Sequence, residues 1–472
     1  MDWGRTDSGH KDSGRTDSGR TTAARTVATR RPDPNSHPNR NPDLQSHGLP
    51  PQMARLKLMP PPRILCFMPG TLPEGEPVPD DGGLPEAAAR AFGASPFGVY
   101  VHVPFCRVRC GYCDFNTYTA TELGGGASRE AYPDLAIEEI KLARRVLPGA
   151  DNPVRTVFFG GGTPTLLPPR RIGEILKEID SSFGLDKEAE VTIEANPETV
   201  DERSLAELRA RGVTRVSFGM QSSATHVLAI LDRQHAPGRP EQCARWAREA
   251  GFEHVSLDLI YGTPGETDDD WRRSLDDALS AEPDHISAYA LIVEDGTRLA
   301  AQVRRGAIAA PDDDVLADRY LIADDALRAA GLTWYEISNW ARDERARCRH
   351  NMLYWTGGDW WGVGPGAHSH VGGVRWWNVR HPSAYAARLA QGRSPAQARE
   401  LLTPDDQRLE RIMLGVRLRE GLPVAALTPA ALDFAERSMP PALLDPAAFR
   451  AGRLVLTRQG RLLADAVVRD LT

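Results

Sequence analysis

From Gly98 onward, short β-branched apolar runs alternate along the chain with stretches that carry apolar residues at helical spacing. Six of the runs read as strands: Gly98 to Val103, Val154 to Phe159, Glu190 to Glu194, Arg215 to Phe218, His254 to Ile260 and His285 to Tyr289. Segments between them, such as Arg170 to Phe183 and Asp268 to Ser280, keep one apolar stripe and read as helices. Such alternation makes βαβ units, and these make a parallel sheet because each helical crossover returns the chain in the same direction. Six repeats fall short of eight-fold closure, so the pattern predicts an α/β fold with an open, partial (β/α)6 barrel over residues 98–310. In such sheets the chemistry collects on loops at the carboxyl ends of the strands.

The pattern changes on both sides of that block. Residues 311–400 hold Trp334, Trp340, Trp355, Trp360, Trp361, Trp376 and Trp377, with a Gly-rich loop at Gly362 to Gly366. Residues 401–472 read as two or three helices, a short strand around Leu454 to Leu456 and a last helix, a pattern similar to a small winged-helix module. Residues 68–97 form a lead-in. Residues 1–67 are poor in bulky apolar side chains and repeat Gly-Arg-Thr-Asp-Ser-Gly at Gly4 to Gly9 and Gly14 to Gly19, so disorder is expected there. Asp2, Asp7, Asp12, Asp17, Asp33 and Asp43 contradict the acid-poor character of a transit peptide. Translation starting at Met53, Met59 or Met68 would remove most of that stretch, and N-terminal sequencing of the native protein tests this.

Composition narrows the partners. With 64 Asp and Glu against 57 Lys and Arg, the 472 residues carry a net charge of -7, which supplies no broad basic surface for nucleic acid. The stretch Thr403 to Glu420 mixes Arg with Asp and Glu, so the C-terminal module is expected to pack rather than bind DNA. No uncharged apolar run reaches transmembrane length and no signal-peptide pattern opens the chain, so the expectation is a soluble, cytoplasmic protein. Peripheral membrane contact and a homodimer stay open.

Cysteine usage changes the picture most. Six cysteines are too few for a disulfide scaffold in this length, and Cys106, Cys110 and Cys113 crowd onto one loop directly after the first strand. Three thiolates at spacings of four and three residues can hold three corners of a 4Fe-4S cubane, which leaves one iron without a protein ligand. Structural zinc is the plainer alternative, but zinc wants a closed tetrahedral set and no second Cys/His pair stands out. Cys243 and Cys348 are distant, and His102 lies inside the strand.

The loop Tyr100-Val-His-Val-Pro-Phe-Cys106-Arg-Val-Arg-Cys110-Gly-Tyr-Cys113 resembles the signature of the radical S-adenosylmethionine superfamily. Four more segments, Phe-Phe-Gly-Gly-Gly-Thr-Pro-Thr, Ile-Glu-Ala-Asn-Pro-Glu-Thr, Ser-Phe-Gly-Met-Gln-Ser and Asp-Leu-Ile-Tyr-Gly-Thr-Pro-Gly, narrow the resemblance to the oxygen-independent coproporphyrinogen III oxidase-like branch. It spans residues 98 to 472. The resemblance implies S-adenosylmethionine at the open iron, and radical chemistry by way of a 5'-deoxyadenosyl radical. It also implies that Gly161, Gly162 and Thr163 lie along the methionine part of that cofactor, with Tyr100 and Tyr112 beside it. Glu194, Gln221 and Asp258 sit where strand-end polar groups converge, and Arg233 matches a family arginine near the cofactor carboxylate.

Two departures from the oxidase proper point to the sister group of heme chaperones. The oxidase motif continues to a fourth cysteine, where this chain has Phe115, and this counts against oxidase activity. The segment His350-Asn351-Met-Leu-Tyr354-Trp355 matches the His-Asn-x-x-Tyr-Trp motif of that group. Histidine is a common axial ligand and aromatic rings suit a flat porphyrin, so His350, Asn351, Tyr354 and Trp355 are the expected heme residues. The resemblance therefore implies a heme chaperone, with heme as cargo and a hemoprotein as recipient. The alternative is oxidative decarboxylation of coproporphyrinogen III.

Overall fold

The structure is a computed structural model that describes residues 75–122, 128–147, 149 and 152–472. The expected disorder over residues 1–67 lies outside the described residues. Strands β1 (Phe97–Val103), β2 (Val154–Gly161), β3 (Leu185–Ala195), β4 (Arg215–Gln221), β5 (His254–Tyr261) and β6 (His285–Ala290) stand side by side in chain order, each parallel to the next. These are the six expected strands, several of them longer than the apolar runs that marked them. The helix Asp268–Ser280 forms as read, opened by a capping box in which Thr267 and Asp270 satisfy each other's free backbone N–H. The helix Pro169–Phe183 stops at Gly184, whose φ of +74° favours glycine.

Strand alternation sorts the side chains of the sheet. Along β4, Val216, Phe218 and Met220 are buried in the core, while Arg215, Ser217, Gly219 and Gln221 line an interior cavity. Along β5, Val255, Leu257 and Leu259 face the core and Ser256, Asp258 and Ile260 the cavity. One face of the sheet is thus sealed under helices and the other is kept polar around a hollow.

The sheet does not stop at six strands. The tryptophan-rich segment supplies β7 (Thr333–Glu336) and β8 (Asn339–Ala341), which continue antiparallel beyond β6, and β9 (Asp359–Val363), which pairs parallel with β1. Beyond β9 follow β10 (His368–Val371), β11 (Val374–Asn378) and β12 (Ala396–Leu401), antiparallel to one another, to give one twelve-stranded sheet. The reading of residues 311–400 as a further region is corrected here: its strands pair with both edges of the six and satisfy backbone groups that an open sheet would leave bare.

After β12 the chain is mostly helical, with helices Pro404–Gly415, Pro429–Arg437, Pro446–Arg450, Arg458–Leu462 and Ala464–Leu471. The strand expected at Leu454 to Leu456 is only Arg453–Leu454, paired with Leu422–Pro423, and Leu456 makes an isolated bridge to Leu444. No helix among the described residues is long and apolar enough to cross a membrane.

Candidate functional site

The polar face of the sheet encloses a cavity of about 750 Å³, within the size range of small-molecule sites. The loop after β1 forms one end of it. Backbone bonds fix that loop: Cys106 donates to the Tyr118 carbonyl at 3.1 Å, Tyr118 to that of Pro104 at 2.7 Å, and Cys113 to that of Cys110 at 3.2 Å. From the end of β2, Gly162 donates to the Val103 carbonyl at 2.8 Å and Thr163 to that of Phe105 at 2.7 Å. A Cβ on Gly162 would stand 2.5 Å from the Phe105 oxygen and 2.8 Å from that of Val103. Glycine there serves first to let the loop after β2 press against the cysteine loop.

Cys106, Cys110 and Cys113 are free thiols and all three line the cavity. Thr163 Oγ1 lies 3.9 Å from the Cys106 sulfur and Arg233 Nη1 lies 3.7 Å from that of Cys110. Burial raises the Cys106 thiol and pushes that of Cys113 up to about 12. Among the described residues no three His, Cys, Asp or Glu side chains converge on one metal ion. Three free thiols presented from one loop to one cavity suit a cubane, where each thiolate takes a separate corner. Arg233 supplies a second fitting feature: its Nη2 donates to the Gly219 carbonyl at 2.7 Å, while its Nε is buried without a partner among the described residues. An orphaned guanidinium donor beside a thiol suits an anionic group, as an amino-acid carboxylate or a thiolate-bound cluster would be.

The remaining polar groups of this end come from consecutive strands. Glu194 Oε2 accepts from the Gly161 N–H at 3.1 Å, and burial, reinforced by the nearby Asp258, raises its carboxyl to about 8. Asp258 is raised too, chiefly by burial, and accepts from Ser217 Oγ at 2.9 Å. Gln221 is a non-glycine residue at φ +65°, and such strain tends to collect at ligand clamps. Tyr100 donates to His102 Nδ1 at 3.0 Å, and His102 Nε2 donates to the Asn116 carbonyl at 2.9 Å, so this histidine has no free nitrogen. Every residue expected to hold S-adenosylmethionine, namely Tyr100, Tyr112, Gly161, Gly162, Thr163, Glu194, Gln221, Arg233 and Asp258, lines the same cavity, as does Phe115. Bound there, the cluster would supply one low-potential electron to the sulfonium beside it.

The other end of the cavity is aromatic. His350, Asn351 and Tyr354 line it, from the short helix Arg349–Trp355. A buried ion pair places that helix: Arg215 Nε meets Glu190 Oε2 at 2.9 Å, and Glu190 Oε1 accepts the backbone N–H of Arg349 at 2.8 Å and of His350 at 3.2 Å. Both nitrogens of His350 are engaged, Nδ1 with Thr156 Oγ1 and Nε2 with the Tyr354 hydroxyl, each at 2.8 Å. Burial lowers its pKa to about 3, and its ring stacks on Phe158 at 5.3 Å. Trp355 departs from the expected heme group, because it packs with Leu414 and Leu418 and does not line the cavity. Of the seven tryptophans of this segment, only Trp360 and Trp377 line it.

Two histidines were missed in the sequence. His368 and His370 alternate along β10, so both side chains fall on the cavity face beside Trp360, Arg375 and Trp377. The His-x-His spacing directly after a Gly-rich loop was the available signal.

Residues 100–278 match the radical SAM superfamily and residues 402–463 the HemN C-terminal domain. The chain is 54% identical over 377 residues to the heme chaperone HemW of Mycobacterium tuberculosis strain H37Rv, covering 80% of this chain and 95% of that one. It is 36% identical over 340 residues to the heme chaperone HemW of Synechocystis, covering 70% and 80% respectively. The coproporphyrinogen III oxidase HemN of Escherichia coli superposes with a TM-score of 0.68 over 81% of this chain and 92% of that one, at 24% identity, a likeness of fold.

Proposed function

This chain belongs to the radical SAM superfamily, among its HemN-like members that resemble HemW, and from that premise we propose that it binds heme and passes it to recipient hemoproteins. In this reading Cys106, Cys110 and Cys113 hold the 4Fe-4S cluster, and the strand-end residues from Tyr100 to Asp258 hold S-adenosylmethionine. The observation that carries it is the two-ended cavity: buried acids, thiols and an orphaned guanidinium at one end, histidines and indole rings at the other. Apolar walls with a few fixed polar groups suit a flat, amphiphilic tetrapyrrole.

What the chain's own residues do follows from their surroundings. The Gly160–Thr163 turn buttresses the cysteine loop, Arg233 places positive charge beside Cys110, and Glu194 and Asp258 offer polar atoms to an incoming ligand. Phe115 at the cavity wall puts an apolar ring where the oxidase motif has a fourth thiol, which favours carriage over porphyrinogen chemistry.

The test is made on the full chain with the cluster reconstituted anaerobically. One sample receives S-adenosylmethionine, reductant and coproporphyrinogen III; a second is titrated with heme and then mixed with a heme-free acceptor. Stoichiometric heme binding, transfer to the acceptor and no vinyl product are expected. Protoporphyrinogen formation would make the protein an oxidase and remove the carrier reading.

A further inference from the structure

A heme carrier needs an iron ligand that holds the cargo and can let it go. A neutral imidazole binds iron through a nitrogen lone pair, so a ligand histidine must have one nitrogen free toward the porphyrin and the other fixed by a hydrogen bond. The histidines of the aromatic end can be sorted by that requirement.

His350 fails it, since both its nitrogens are bonded to hydroxyls. His368 has Nε2 unpartnered, but that atom is sealed from solvent and its ring stacks on Trp377 with centroids 5.9 Å apart. His370 meets it. Its Nδ1 lies 3.1 Å from the Gly358 carbonyl. A carbonyl only accepts, so Nδ1 carries the proton and the lone pair sits on Nε2. Among the described residues Nε2 has no hydrogen-bond partner, and it is not among the buried orphan atoms. The residue lines the cavity. Asp359 Oδ1 stands 3.6 Å from Nδ1, a carboxylate placed to make the imidazole a better donor to metal. The Trp360 ring, 5.2 Å from that of His370, fixes its plane and offers an indole surface next to it.

We propose that Nε2 of His370 is the protein ligand to heme iron, and that His350 is a positioning residue that holds the motif helix against β2. The inference rests on the heme-carrier reading and adds to it the atom that holds the metal. It also gives a physical role to the Gly358 turn, whose carbonyl sets which tautomer of His370 is present.

The experiment titrates heme into the full-length protein and into its His370→Ala and His350→Ala variants, and reads the Soret and visible bands in both iron oxidation states. Parallel titrations with iron-free protoporphyrin IX, followed by tryptophan fluorescence, report porphyrin binding without iron ligation. His370→Ala should lose the imidazole-ligated spectrum, keep protoporphyrin IX binding, and regain the spectrum when free imidazole is added. His350→Ala should keep the spectrum. An unchanged spectrum in His370→Ala, or loss in His350→Ala alone, overturns the proposal. Should His370→Ala not fold, His370→Met replaces it, and a spectrum that does not shift toward thioether ligation overturns the proposal equally. Absence of heme binding in the unaltered protein would instead remove the heme-carrier reading itself, and the ligand assignment with it.

Discussion

The two ends of the cavity are built on the same alternation across the same sheet, yet they hold their polar groups in opposite ways. At the cysteine end, Glu194 and Asp258 are buried near one another, the Cys106 and Cys113 thiols are pushed toward their neutral forms, and Arg233 keeps an unused donor. At the histidine end most polar groups already have partners: His350 with Thr156 and Tyr354, Arg375 with Glu400 at 2.6 Å and with Glu410. One end is electrostatically incomplete until a charged ligand arrives, and the other is a mostly partnered wall in which the Nε2 atoms of two imidazoles are left over, that of His368 sealed from solvent and that of His370 not. Unfinished valence, more than motif membership, separates residues that bind from residues that support.

Loss of a cluster thiol has the largest expected effect on the difference between the two ends. Cys113→Ser should abolish the iron–sulfur chromophore after anaerobic reconstitution, read by absorbance and bound iron, because it removes one of the three thiols that the loop after β1 presents to the cavity. Heme titration of the same variant should be unchanged if the two ends are separate subsites. Parallel loss of heme binding would show that they are one.

Next in size is the ion pair beneath the histidine end. Arg215 and Glu190 are almost fully buried, and Arg215 also bonds to Ser256 and to the carbonyls of Ala346 and Arg347. Arg215→Met removes the buried partner of Glu190, leaving it only the half-exposed Arg349 at 4.0 Å, and should cost about 3–5 kcal/mol, measured by urea unfolding. The loss should fall on the histidine end, since Glu190 also accepts from the first N–H groups of the helix that carries His350.

The two ends also differ in their response to pH. The Glu194 carboxyl rises to about 8 in the fold, against an ordinary value of 4.5. A raised folded-state pKa means that the native state keeps its proton where the unfolded chain has released it. The associated stability is fully present below about 4.5 and is lost as pH climbs through about 8. Glu194→Gln should remove this dependence, on the order of 1 kcal/mol per pH unit inside that window. Thermal melts of the two proteins should diverge there, and the slope should be the same in His350→Ala if the ends titrate independently.

Much of this architecture was legible because the core writes itself into the sequence. Val216, Phe218 and Met220, or Val255, Leu257 and Leu259, announce a strand by period alone. The polar partners in the same strands, Arg215 and Ser217 or Ser256 and Asp258, carried the second half of the message, that the opposite face encloses a polar hollow. The cysteine loop was legible for a different reason: ligands that meet one cluster from one short loop must be close in sequence. Strands β9 to β12 were not legible, because β9 pairs with β1 across most of the chain, and a local pattern contains no register for so distant a neighbour. Trp355 was misplaced because aromatic residues serve a core and a porphyrin equally well, and only the tertiary packing decides. His370 was missed because the Gly358 carbonyl, not its own neighbourhood in sequence, frees its nitrogen.

The smallest effect tests the finished side of the comparison. Tyr354→Phe deletes the hydroxyl that meets His350 Nε2 and leaves the ring edge-on to Trp360, with centroids 4.7 Å apart. Loss of one such bond should cost about 1 kcal/mol in a urea titration. His350 would then have a free nitrogen for the first time, while Thr156 still holds the other. If a free nitrogen near the cavity were enough for ligation, the heme spectrum of this variant should shift toward two-histidine coordination. If ring position decides, the spectrum should not change, because stacking on Phe158 and the Thr156 bond keep His350 against β2. The unchanged spectrum is the expected result, and it would assign the His-Asn-x-x-Tyr-Trp motif a supporting role through geometry and not merely through occupancy of its nitrogens.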